Sequence, residues 1–226
     1  MASMWEAATQ LLDSQKELSI EYEVVPVPDT ILPSRALSAL FNVPTLVAHA
    51  QGCDYFYLLN DDVVLSTPGW ADAFVSALRS NPLAPNLGVA GGVDVSDTIT
   101  PHIEFPFFHR THVDIFDWCG GNPWVFRNWW EDNWVTDVYI PFDSVFYLRH
   151  ITYVHTLAKL ADLLLIICFS VWLRSVTNYG GLARPSSGTG SMDPRYQVQQ
   201  GRRLPHYYVA EVEAGRQRIQ AFLERA

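Results

Sequence analysis

The residues with the strongest chemical character stand where a hydrophobic run ends. Tyr55 to Leu59 reads YFYLL and stops at Asn60, Asp61 and Asp62, an amide and two adjacent carboxylates. Hard divalent cations take oxygen ligands, and magnesium-type ions are commonly held by one or two carboxylates together with substrate phosphates. Side chains alternate along a strand, so Asn60 and Asp62 face one side and Asp61 the other. One carboxylate can then touch a metal while another fixes a sugar or ribose hydroxyl. The same residues also suit an ordinary polar junction between strand and turn.

A second cluster, FRNWWEDNWVTDVY, sets Glu131 and Asp132 among Trp129, Trp130 and Trp134. A carboxylate beside indole rings is partly desolvated, which raises its pKa and makes it a better proton acceptor at neutral pH. The aromatic faces of Trp129 and Trp130 suit stacking on sugar rings. The alternative is a helix start whose acids favour the positive end of the helix while the tryptophans pack the core. A third cluster, FFHRTHVDIFDWCGG, alternates His109, Arg110, His112 and Asp114 as one exposed strand or loop would. Arg110 suits a phosphate or carboxylate clamp, and His109 and His112 suit hydrogen bonding to an acceptor. Equally, they are satisfied polar residues beneath a loop. A structural zinc site is not expected, because the second ligand pair is missing. His155, after the apolar run ITYV, is a candidate late metal ligand or a lone structural histidine. P-loop, dinucleotide-binding, hydrolase-elbow and zincin motifs do not occur.

These residues need elements to hold them. The periodicity predicts a helix over Trp5–Lys16, a half-exposed strand over Ser19–Val25 and a helix over Pro33–Ala50 that Pro44 should kink or split. The run into Asn60 reads as a buried central strand. Thr67 and Pro68 should then cap a helix over Gly69–Ser80. Leu87–Val93 is a further strand, and Val209–Arg225 a closing helix. Alternating strands and helices argue for an α/β layered sheet, mainly parallel, with its ligand at the strand C-termini.

The chain has 226 residues and a formal net charge of −9. That length supports a sizeable core, and the acidic balance disfavours a nucleic-acid partner. Three cysteines, Cys53, Cys119 and Cys168, form neither a CxxC pair nor an even set, which predicts a reducing compartment. No secretory signal is legible at the start, so the expected location is cytoplasmic or membrane-associated. The membrane candidate is Leu157–Leu173, in which an uncharged stretch begins at Leu163. A single span needs about 20 apolar residues, and shorter runs are more often buried or interfacial helices. The expectation is therefore an inserted apolar helix, followed by a Gly/Ser-rich linker over Thr177–Met192.

Taken as a set, GCDYFYLLNDDVVLSTPGWADAF, NPLAPNLGVAGG, FFHRTHVDIF and FRNWWEDNWVTDVY resemble nucleotide-sugar-dependent glycosyltransferases of the GT-A fold. The likeness is to a protist and algal group with a strand-NDD segment and a downstream NWW-acid-DW segment. It covers Leu32 to about Leu148 and, more faintly, Arg195 to Leu223. The resemblance implies a GT-A-like, Rossmann-like sheet flanked by helices, and a divalent metal, Mn2+ or Mg2+, at Asp62 and Asp61. Asn60, Asp61 and Arg110 would bind the nucleotide-sugar donor. Asp132, with Glu131 as its substitute, would take the proton of a glycan or other hydroxyl acceptor, with inversion at the transferred sugar. The implied organisation is a body over residues 1–148 lacking the first nucleotide-binding strand, an insertion over 149–194 and a helical tail over 195–226. The competing expectation is a noncatalytic carbohydrate-binding or scaffold remnant.

Overall fold

The structure, a computed structural model, describes residues 21–26, 37–60, 63–95, 102–116, 121–126, 130–155, 164–169, 173–179 and 206–226. The expected helix over Trp5–Lys16 lies outside them, as does the linker expected over Thr177–Met192 except for its first three residues, which are strand and not linker. The described strands form one sheet in the order β1-β8-β7-β2-β5-β4-β6-β3. They are β1 (Glu21–Pro26), β2 (Tyr55–Asn60), β3 (Val63–Leu65), β4 (Val89–Asp94), β5 (Phe107–His109), β6 (Val145–His155), β7 (Leu164–Phe169) and β8 (Leu173–Tyr179). The described helices are α1 (Leu37–Ala50), α2 (Trp70–Arg79), α3 (Arg110–Ile115), α4 (Glu131–Tyr139) and α5 (His206–Leu223).

The α/β class is as expected, but the sheet is mixed and not mainly parallel. Only β1 with β8 and β4 with β6 pair in parallel; the other pairings are antiparallel. Two local events cause this. The β4-to-β5 connection contains no described helix, and β5 slots between β2 and β4 pointing the opposite way. The apolar run expected as a helix instead supplies β7 and the start of β8, an antiparallel pair beside β2. A six-residue LLIICF segment is long enough for a central strand and short for a helix, and its branched Ile166 and Ile167 favour the pleated form. No described helix is long and apolar enough to cross a membrane. β6 runs through the expected boundary at residue 148.

β2 is central because both of its faces are apolar. Phe56 and Leu58 join Phe41 and Ala48 of α1 with Phe108 and Val113, whereas Tyr55, Tyr57 and Leu59 pack on Phe74 and Leu78 of α2 with Phe107. The period of two thus distributes one continuous apolar run over two cores. A third core lies between α4 and α5, where Trp134, Val138 and Tyr139 meet Tyr208, Val212 and Ile219. α1 continues through Pro44 without the expected break, and the Thr45 hydroxyl donates to the Phe41 carbonyl at 2.7 Å. Thr67 does not cap α2. Gly69 does so at φ 75°, while the Thr67 hydroxyl accepts from the Thr152 backbone N–H at 2.9 Å and ties the β3 end to β6.

The cysteine expectation is corrected at one position. Cys53, fully buried at the entry to β2, is disulfide-bonded, and its partner falls outside the described side chains. An odd cysteine count excludes complete pairing but leaves room for a single bridge.

Candidate functional site

The registers define two ends of the sheet. β2 and β4 both pair antiparallel with β5, and β4 pairs parallel with β6, so β2, β4 and β6 run in one direction. Their C-terminal ends, Asn60, Asp94 and His155, therefore share an edge. Val63 pairs with His155 and Asp94 with Tyr153. Asp61, Asp62 and Trp129 themselves lie outside the described residues.

Glu104 belongs to this edge. It precedes β5, whose first residue Phe107 pairs with Tyr57, and it accepts a hydrogen bond from the Tyr153 hydroxyl at 3.0 Å. Its charge is felt at Tyr57, whose hydroxyl is buried without a hydrogen-bond partner and whose pKa is raised first by that burial and then by Glu104. Ile103 N donates to Thr136 Oγ1 at 3.0 Å, stitching this segment to α4. That contact brings the first turn of α4, with Glu131 and Asp132, to the same edge, and the charges of His102 and Glu104 both act on Asp132.

The acid pair is held in an uncommon way. Trp130, the residue before Glu131, has φ 86°, a left-handed conformation that is costly for a bulky side chain. Its carbonyl still accepts from Trp134 N at 2.8 Å, so the helix begins immediately beneath it. Glu131 Oε2 is buried and has no hydrogen-bond partner. Burial, and next the neighbouring Asp132 charge, push the Glu131 pKa up to about 8. Asp132 is raised too, chiefly by burial, but the Asn133 N–H donated to its Oδ1 at 2.8 Å and His102 nearby favour its ionised form. Two carboxyls this close in a poorly solvated site cannot both ionise easily. The pair therefore keeps a proton to higher pH than either acid would alone.

The chain matches no protein-family model, no curated protein and no solved structure.

His109, Arg110 and His112 do not join this edge. His109 pairs with Tyr55, at the opposite end of β2 from Asn60, a separation of about 17 Å for five strand steps. There His109 caps α3 by accepting from Thr111 N at 3.1 Å, and burial lowers its pKa to about 4. Arg110 stands 3.7 Å from Asp54. The expected exposed strand is thus a strand end followed by one helical turn, because the apolar Phe107, Phe108, Val113 and Ile115 all need burial. Arg110→Ala is accordingly expected to lower stability by less than about 1 kcal/mol in denaturant unfolding, as befits a partly exposed ion pair.

His112 is a core residue and not an acceptor ligand. It is 1% exposed, and its ring nitrogens lie 2.9 Å from the Tyr139 hydroxyl and 2.9 Å from the Gly121 carbonyl. Burial lowers its pKa to about 4, so it is neutral. Gly121, at φ 115°, comes so close that a Cβ there would lie 3.1 Å from the imidazole. His112→Leu strands a hydroxyl and a carbonyl in the core and should cost about 3 kcal/mol, read as a lower denaturant midpoint with an unchanged slope.

Among the described residues no group of three or more His, Cys, Asp or Glu side chains is placed to hold a metal ion. Of the expected metal ligands, only the backbone of His155 is described. Glu104, Tyr153 and Tyr208 were not singled out from sequence, whereas His102 stood out only as one of the histidines among the tryptophans of Pro101–Trp134. Glu104 carried one usable signal, an acid inside the otherwise apolar IEFPFF run.

Proposed function

We propose that this chain transfers a sugar from a nucleotide-diphosphate donor to a hydroxyl acceptor, with inversion. The observation that carries the reading is the half-buried Glu131–Asp132 pair, at the strand edge that Asn60 closes, with the Glu131 Oε2 atom itself buried and lacking a hydrogen-bond partner. A buried carboxyl oxygen without a donor costs about 1–3 kcal/mol, and an acceptor hydroxyl reaching it would remove that cost. Asp132 takes the hydroxyl proton as the oxygen attacks the anomeric carbon, while the bond from that carbon to the diphosphate oxygen breaks and the leaving group keeps the electron pair. A proton retained on the pair spares the site a second negative charge. Asn60 fixes a sugar or ribose hydroxyl. Asp61, Asp62 and His155 would hold a divalent ion, Mn2+ or Mg2+, whose chemistry when bound is to neutralise charge on the departing diphosphate.

The test separates this from a noncatalytic glycan binder. In calorimetry, UDP or GDP should bind wild type only with Mn2+ or Mg2+ present, and Asp62→Ala should abolish that binding. Glycan binding without any metal-dependent nucleotide binding would establish the binder instead.

A further inference from the structure

α5 is joined to α4 by more than apolar packing. The Tyr208 hydroxyl donates to Asp137 Oδ2 at 2.6 Å. Arg216 donates through Nε and Nη2 to the Asp137 carbonyl oxygen at 3.3 and 3.0 Å, and Trp134 Nε1 donates to the Glu211 carbonyl at 3.0 Å. Gly215 allows the close approach, since a Cβ there would lie 2.7 Å from Val138 Cγ1 and 3.1 Å from Trp134 Cζ2.

Tyr208 links this clamp to the acid pair. Its ring centroid is 5.5 Å from that of Trp130, the left-handed residue that sets the direction of Glu131, and its hydroxyl feels the charge of Asp132 as well as its bonded partner Asp137. Phe126, from the preceding loop, closes the other side of the Tyr208 ring at 5.9 Å. A strained Trp130 persists only if its surroundings hold it, and α5 supplies that restraint.

We propose that Tyr208 and Arg216 are positioning residues for the Glu131–Asp132 pair, holding Trp130 and the first turn of α4 so that Glu131 Oε2 stays shielded and turned toward the acceptor. This rests on the transfer reading above. The titratable and charged groups around the pair are His102 and Glu104 before β5, Tyr153 on β6, Asp137 on α4, and Tyr208 and Arg216 on α5.

The test follows tryptophan fluorescence of the full chain against pH, with Glu131→Gln identifying the transition that belongs to Glu131. In Tyr208→Phe, which keeps the ring and removes the hydroxyl, the midpoint should fall by about one pH unit as water reaches the pair. With donor and acceptor, kcat should drop about tenfold and KM move less than about twofold. Arg216→Lys is the second variant and decides the matter if Tyr208→Phe does not fold by circular dichroism. A midpoint unchanged in a folded variant overturns the proposal. A shifted midpoint in a chain that transfers no sugar keeps the positioning role and removes the transfer reading.

Discussion

Glu131→Gln is expected to make the protein more stable than wild type in alkaline solution and to flatten its stability between about pH 4.5 and 8. The carboxyl has an ordinary pKa of 4.5 and a folded value of about 8. Because the folded value is the higher one, the native state binds the proton that the unfolded chain releases. The stabilisation from that proton is complete below pH 4.5 and is lost as pH rises through 8. At about 1.4 kcal/mol per pH unit, the loss is on the order of 5 kcal/mol, or roughly 10–20 °C in Tm for a chain of this size. Glutamine keeps the shape, stays neutral and escapes the loss. His109 and His112 act with the opposite sign. Their folded pKa values of about 4 lie below the ordinary 6.5, so their contribution is present above pH 6.5 and disappears as pH falls toward 4. Thermal unfolding of wild type and Glu131→Gln at a series of pH values isolates the glutamate, because both histidine terms cancel in the difference.

Asp132→Asn is expected to lower the rate of sugar transfer by about 10²–10⁴-fold, the usual range for removing a general base, with KM nearly unchanged. The asparagine keeps the volume, and its side-chain oxygen still accepts the Asn133 N–H, so folding should survive. What disappears is a carboxylate able to take the acceptor proton. The wild-type rate should rise as the pair gives up its first proton and fall again as it gives up the second, the two limbs reporting the pair and not either acid alone. Steady-state kinetics across this range provide the check. A variant that retains the wild-type rate would remove Asp132 from the reaction.

The legible parts of this fold were those whose signal is local. The apolar run ending at Asn60 and the closing helix α5 are each read within one segment, and so is α2, although the Thr67 cap that marked its start does not form. β7 was misread because Leu157–Leu173 reads as one helical run, whereas the chain divides it between two strands, a division visible only in the pairing of β7 with β2 and β8. The same limit applied to the site. Glu131 and Asp132 were visible because their tryptophan neighbours lie within a few residues, whereas Glu104 joins them only through sheet register and the Tyr153 hydroxyl. His109 and Arg110 looked like acceptor and donor ligands by residue type. Their place at the opposite end of β2 depends on β5 running against β2, a direction that nothing in FFHRTH specifies.

The decisive measurement is proton NMR of wild type incubated with a panel of UDP- and GDP-sugars, a hydroxyl acceptor and Mn2+, following the anomeric signal of the first product formed. Transfer through Asp132 predicts nucleoside diphosphate release coupled to a glycoside of inverted anomeric configuration, absent in Asp132→Asn. Retained configuration, or no product from any donor while the folded chain still binds glycan, would contradict it.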